Sequence, residues 1–83
     1  MLQRILRRAE TIQFSGKPTS TLYEEVSKGI FPPPIKISAA SVGWLENELA
    51  AWQRARIAEK SEAEIKALVA EMVAARTSMM EAA

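Results

Sequence analysis

A short polar run, Thr19-Ser20-Thr21, is followed closely by Tyr23 and Glu24. Hydroxyls and unpaired backbone N–H groups at the start of a helix bind phosphate oxygens. A glutamate can accept a hydrogen bond from cytosine N4 in the major groove of a duplex. These residue types at this spacing raise the question of whether this stretch, which has the build of a short helix leading into a turn and a strand, contacts nucleic acid.

The composition removes the usual catalytic and metal-binding groups. The 83 residues include no cysteine and no histidine, which excludes disulfides, thiolate and imidazole ligands, and the commonest general base. Glu24 and Glu25 diverge by about 100° on a helix, so they do not form a catalytic pair. We therefore expect no catalytic residues, no cofactor, no metal and no small-molecule substrate.

Positive charge is concentrated near the N-terminus, although the formal net charge is only +1. Residues 1–20 contain one acidic residue, Glu10, and four basic ones, Arg4, Arg7, Arg8 and Lys17. An anionic partner would meet this end of the chain. No apolar run approaches the roughly 20 residues that span a bilayer, and the charged start is unlike a signal peptide. We expect no membrane association and a cytoplasmic location.

The polar run needs a helix to present it. Upstream, Ile5, Ala9 and Ile12 follow helical spacing, and Arg4 to Leu6 fits either that helix or an extended lead-in to a helix over residues 8–14. Residues 15–18 predict a turn.

A second helix is predicted from Pro18 or Thr19 to Lys28. The hydroxyls of residues 19–21 offer caps for its start, and Gly29 offers a left-handed stop. Leu22 and Val26 would face the core, which turns Tyr23, Glu24 and Ser27 outward.

A β-hairpin is predicted next. The prolines at 32–34 force an extended path, residues 35–37 alternate as a strand, and residues 42–44 return after a loop at 38–41. We expect Phe31, Trp44 and Trp52 in the core.

The C-terminal third predicts two helical stretches, at residues 45–60 and 61–80, with Ser61 and Glu64 at capping-box spacing. The first has Leu45, Leu49 and Trp52 on one face. The second has a stripe of Ile65, Leu68, Val69, Met72, Val73 and Met79. On one straight helix these stripes would point in opposite directions. Either the chain breaks near Ser61 and folds back, or it continues and offers a second face to another copy. Because no Gly or Pro enforces a break, we favour a long, gently kinked helix.

Several segments together resemble the AlpA family of phage and prophage regulators, which are related to MerR-like and excisionase winged helices. The resemblance runs without gaps from about Arg4 to Ala58. The matching segments are RILR (4–7), STLY (20–23), KGIFP (28–32), PIKI (34–37) and VGW (42–44), followed by Glu48 and Trp52.

The resemblance implies a mainly α fold with a small β-hairpin, a winged helix-turn-helix in residues 1–60. The apolar stripe, which lies beyond the resemblance, predicts a C-terminal amphipathic helical extension, residues 61–83, that serves oligomerisation. The resemblance also implies binding to double-stranded DNA, with the second helix in the major groove and the hairpin on the backbone or minor groove. The expected DNA-binding residues are Lys17, Thr19, Ser20, Thr21, Tyr23, Glu24, Lys28 and Lys36.

The implied function is sequence-specific regulation of prophage or mobile-element transcription. Two alternatives stay open: an excisionase, or recombination directionality factor, that binds and bends DNA cooperatively, and a protein-interaction module with a degenerate DNA-binding surface. Family members carry basic residues where this chain has Thr19, Glu24, Pro33 and the Ala39-Ala40 pair. We therefore expect a single copy to bind DNA weakly and a homo-oligomer, joined through residues 61–83, to bind usefully.

Overall fold

The structure, a computed structural model, describes residues 4–82, and the side chains of residues 4–77. Seven elements follow one another along the chain: β1 (Ile5–Arg7), α1 (Arg8–Ser15), α2 (Thr19–Lys28), β2 (Ile35–Ser38), β3 (Ser41–Leu45), α3 (Glu46–Ile57) and α4 (Glu62–Ala82). The predicted hairpin is confirmed as β2 and β3. We call residues 35–45 the wing.

Residues 5–7 are extended and form β1, which decides between the two interpretations of the lead-in. β1 pairs antiparallel with β3, with Leu6 opposite Trp44, so the sheet has three strands in the order β1-β3-β2. The Glu46 amide also donates to the Arg4 carbonyl at 2.9 Å. Through this pairing, β1 ties the start of α1 to the base of the wing.

The second helix has the predicted limits but not the predicted cap. Gly29 ends it in the left-handed conformation at φ 78°, and the amides of Gly29 and Ile30 close the last turn on the carbonyls of Val26 and Glu25. At its start, however, the N-cap is Pro18, and no side-chain hydroxyl caps the helix. The prediction that a hydroxyl of residues 19–21 caps α2 is therefore wrong.

The predicted core aromatic residues are buried. Phe31 and Trp44 are fully enclosed and Trp52 is nearly so. The indole nitrogens of Trp44 and Trp52 donate to the carbonyls of Pro32 and Ile30 at 2.9 and 3.0 Å. Because these bonds hold the segment between α2 and the wing, the tryptophans fix the position of the wing relative to α2.

The prediction of one long C-terminal helix is wrong. α3 ends at Ile57, and Glu59 takes the left-handed conformation at φ 55°. The amide of Glu59 bonds to the Arg56 carbonyl and that of Lys60 to the Ala55 carbonyl, both at 3.0 Å. This is the closure that usually carries glycine at the left-handed position. A glutamate there gives no sequence signal, which is why the break was missed.

The predicted capping box then restarts the chain as α4. The Ser61 amide donates to the Glu64 carboxylate at 3.0 Å, and the Glu64 amide donates to the Ser61 hydroxyl at 3.2 Å. The bond from the Ser61 amide holds the pKa of the Glu64 carboxyl below its usual value.

α4 folds back onto the core that the rest of the chain has built. Ile65, Val69 and Met72 are buried in the same hydrophobic cluster as Trp52. Folding back lets both apolar stripes, which would diverge on a straight helix, face one core. Of the other predicted stripe members, Leu68 is half-buried, Val73 is exposed, and the Met79 side chain lies outside the described residues.

An ion pair and a hydrogen bond hold α4 against α3 and against the segment that leads into the wing. The Arg76 guanidinium donates from Nε to Glu48 Oε2 at 2.9 Å, and from Nη2 to Glu48 Oε1 and to the Pro33 carbonyl. The Glu48 side chain is only 3% exposed, so Arg76 neutralises a buried charge. Oligomerisation through residues 61–83 stays a prediction, and in this fold it would have to use the exposed side of α4.

Candidate nucleic-acid interface

Two faces of α2 differ in burial. Leu22 is fully buried and Val26 half-buried, so one face is fixed against the core. The opposite face is exposed and polar, and it carries the predicted residues Thr19, Ser20, Glu24 and Lys28. α2 therefore presents most of the predicted contact residues on one ten-residue helix.

The start of α2 is a source of hydrogen-bond donors. The first backbone bond within the helix runs from the Leu22 amide to the Pro18 carbonyl at 3.0 Å. The amides of Thr19, Ser20 and Thr21 precede that bond and receive no side-chain cap. Three amides and three hydroxyls therefore cluster at one helix end, where the helix dipole favours an anion.

Tyr23 has a mixed environment. Its ring packs edge-on against Trp44, with ring centroids 6.2 Å apart and planes at 61°. The side chain is half-buried and borders a cleft between α2 and the wing. Packing against Trp44 fixes the ring, and the cleft gives the phenol a place from which to meet a partner.

Two of the three predicted cations are already paired. Lys17 Nζ lies 2.8 Å from Glu25 Oε2, with both side chains mostly buried. Lys28 Nζ lies 3.0 Å from Glu24 Oε1 on the exposed face, and this carboxylate raises the Lys28 pKa. Lys36, on β2, is exposed, and it has no carboxylate partner among the described side chains.

The two neighbouring glutamates of α2 have different surroundings. Glu24 faces solvent beside Lys28. Glu25 points toward the turn between α1 and α2, where Lys17 lies, and toward α3, where Arg56 lies 3.8 Å away. The Arg56 guanidinium sits 5.6 Å above the Trp52 ring. Glu25 therefore ties α2 to this turn and to α3, and only Glu24 brings negative charge to the predicted contact face.

One group of residues on this side of the molecule was missed when sites were assigned from the sequence. A cleft of about 390 Å³ opens where the β1–α1 junction, α2 and the wing turn meet, and its lining is Arg7, Arg8, Ala9, Tyr23, Ala40, Ser41 and Val42. The concentration of basic residues at the N-terminus was the available signal. That concentration of charge does not indicate that β1 pairs with β3, which brings Arg7 opposite Gly43.

Within residues 4–82, whose side chains the structure describes up to residue 77, no cluster of acidic side chains is arranged to hold a metal ion. None of the helices in that range combines the length and apolar character needed to cross a membrane.

α1, the turn at Gly16, α2 and the β2–β3 hairpin define a winged helix-turn-helix protein, extended by α3 and α4. Residues 4–57 match the model of the family described as "Prophage CP4-57 regulatory protein (AlpA)". The chain belongs to this family of prophage regulatory proteins.

A phage protein is also similar to this chain. It is described as "Uncharacterized protein ORF88" of Enterobacteria phage P4, and it is 41% identical over 56 residues. That alignment covers 68% of this chain and 64% of the phage protein, so the chain spans less than two thirds of this relative's length. No solved structure matches the chain.

Proposed function

We propose that this protein is a sequence-specific double-stranded DNA-binding regulator of prophage or mobile-element transcription. The observation that carries the proposal is the exposed polar face of α2, set beside the wing and fixed from behind by Leu22. A helix with its side chains is about 10–12 Å in diameter and fits a major groove about 12 Å wide. The ten residues of α2 give it a length of about 15 Å.

In this function, the two ends of the exposed face have different tasks. The unpaired amides of residues 19–21, together with the hydroxyls of Thr19 and Thr21, bind a backbone phosphate, which sets the position of α2 on the duplex. Ser20 and Glu24 lie on the exposed face and reach base edges, where Glu24 would favour cytosine. Lys36 on the wing meets the neighbouring backbone.

Selection of duplexes from a random pool by the intact chain tests this proposal. We expect a preferred sequence, and we expect Ser20→Ala and Glu24→Ala to relax the preference at separate positions. A lost base contact of this type costs about 1–3 kcal/mol, or roughly 5- to 150-fold. Arg54→Ala, at an exposed position of α3, is the matched control and should leave sequence preference and affinity unchanged. A chain that selects no sequence contradicts the proposal.

Replacing Glu24 with Arg should strengthen binding to duplexes of any sequence. The change removes a carboxylate from the contact face and releases Lys28 from its ion pair. One or two added phosphate contacts would steepen the dependence of log K on log salt by about 1–2. A titration at several salt concentrations measures this slope. An unchanged slope and affinity would mean that this face does not meet the backbone.

We also propose that several copies bind side by side, since most cations near α2 are already paired. The expected result is a steep binding curve on a duplex with adjacent sites and a shallow one on a single site. Excision factors would share this behaviour, and strong bending of the duplex in a gel assay would favour that role over transcriptional control. Identical curves on the two duplexes would exclude side-by-side binding.

A protein-interaction module is the second candidate, and the pairing of Lys17 and Lys28 with glutamates favours it. In this reading the contact face of α2 is electrically neutral and binds another regulator. Absence of binding to any duplex at low salt, by both the natural chain and Glu24→Arg, would support this candidate.

A further inference from the structure

The cleft between the β1–α1 junction, α2 and the wing turn is a second feature of the contact side. We propose that it binds one phosphodiester group of the DNA backbone and is the main cationic anchor of the domain. This inference rests on the proposed DNA-binding function and names the residues, Arg7 and Arg8, that supply the charge missing from α2.

The first argument is the distribution of unpaired charge. All eleven basic residues lie within the described side chains. Six form ion pairs: Arg4, Lys17, Lys28, Arg56, Lys60 and Arg76. Of the other five, which have no carboxylate partner among residues 4–77, Arg54 and Lys66 lie on α3 and α4. Arg7 and Arg8 line one cleft, and Lys36 lies on the wing.

The nearest acidic group on the same element does not neutralise the cleft. Glu10 accepts from the Arg7 backbone amide at 3.0 Å and lies 3.5 Å from the Arg4 guanidinium. Arg4 is itself held by Glu46. These contacts fix the β1–α1 corner through its backbone and leave the guanidiniums of Arg7 and Arg8 exposed.

The lining suits a phosphodiester. Guanidinium groups bind two phosphate oxygens at once, and the lining also includes Ser41 and Tyr23, whose hydroxyls can donate to an oxygen. Ala9 and Ala40 contribute only methyl groups. A cleft of about 390 Å³ with such small walls has room for a phosphate together with part of its flanking sugars.

The position of the cleft is the last argument. One wall belongs to α2 through Tyr23 and the other to the wing turn through Ala40 and Ser41. A DNA strand whose groove receives α2 and whose backbone meets the wing has to pass between these walls. A phosphate held there sets the depth and direction of α2, without carrying sequence information.

The test compares two double variants with the same loss of charge, Arg7→Gln/Arg8→Gln and Arg54→Gln/Lys60→Gln. At about 0.1 M salt, loss of one to two phosphate contacts should weaken duplex binding by about 10- to 60-fold and reduce the slope of log K against log salt by about 1–2. The order of preference among duplex sequences should stay the same. The control pair should change affinity by less than about threefold.

A charge-adding variant gives an independent test that removes no arginine. Ala40→Glu places a carboxylate at the exposed turn beside the cleft and should weaken binding, whereas Gln53→Glu at an exposed position of α3 should not. If the natural chain binds duplex DNA and both cleft variants keep its affinity and salt slope, the cleft proposal is wrong while the proposed function stands. If the natural chain binds no duplex, the cleft proposal and the proposed DNA-binding function are both wrong.

Discussion

A chain shortened to residues 1–60 is expected to lose its cooperative unfolding transition and its dispersed NMR spectrum. The reason is that α4 supplies part of the core. Ile65, Val69 and Met72 are 0%, 5% and 8% exposed, and burying each side chain contributes about 1.5–3 kcal/mol. A chain of 83 residues has a total stability of about 4–12 kcal/mol at roughly 0.05–0.15 kcal/mol per residue, and the loss of these three side chains, about 4.5–9 kcal/mol together, is of the same size.

A point variant separates this effect from shortening as such. Ile65→Asp places a charge in the core and should also unfold the domain, whereas Ala70→Asp, on the exposed side of the same helix, should not. Thermal melting followed by circular dichroism measures both. A shortened chain that melts cooperatively near the temperature of the full chain would show that α4 is dispensable for the fold.

This expectation changes how oligomerisation must be tested. Loss of DNA binding after removing residues 61–83 would report unfolding and would say nothing about contacts between copies. A change on the exposed side of α4, such as Val73→Glu, leaves the buried residues in place. Comparing the DNA-binding curves of this variant on duplexes with a single site and with adjacent sites therefore tests whether α4 joins copies of the chain.

Arg76→Ala is expected to destabilise the protein by about 3–5 kcal/mol. The substitution leaves the Glu48 carboxylate, 3% exposed, without its bidentate partner, and it frees the Pro33 carbonyl from its bond with the same guanidinium. Urea denaturation measures the loss. Because Pro33 leads into the wing, the substitution should also remove the link between α4 and the wing, so that the wing becomes locally more mobile.

A double variant identifies the cause of that loss. Replacing both partners, as in Glu48→Met/Arg76→Met, removes the buried charge as well as its partner and should recover much of the stability. Arg56→Ala is a matched arginine control: it lies 3.8 Å from Glu25 with a more exposed side chain and should cost about 1 kcal/mol. Equal losses in the single and double variants would mean that the unpaired Glu48 carboxylate is not the source of the effect.

Local patterns predicted the elements that depend on neighbouring residues. The hairpin follows from alternation after three prolines, and the end of α2 follows from Gly29. Phe31, Trp44 and Trp52 were placed in the core by size and apolar character alone. In each case the determining residues lie within a few positions of the feature.

The missed features depend on residues far apart in the chain. Glu59 ends α3 in a conformation usually taken by glycine, and it is the packing of α4 against the core that makes this conformation favourable. Lys17 was predicted to meet DNA, although its contact with Glu25 forms only once the turn at Gly16 brings α1 and α2 together. Arg7 and Arg8 meet the wing turn because β1 pairs with a strand more than thirty residues away.

We propose that the exposed face of α2, with the neighbouring cleft and wing, is the surface that meets DNA. Backbone amide shifts of the full chain, followed during titration with a selected duplex, test it most directly. We expect the largest shifts on residues 19–28, on Arg7 and Arg8, and on Lys36. Shifts confined to α4, with residues 19–28 unchanged, would contradict this proposal.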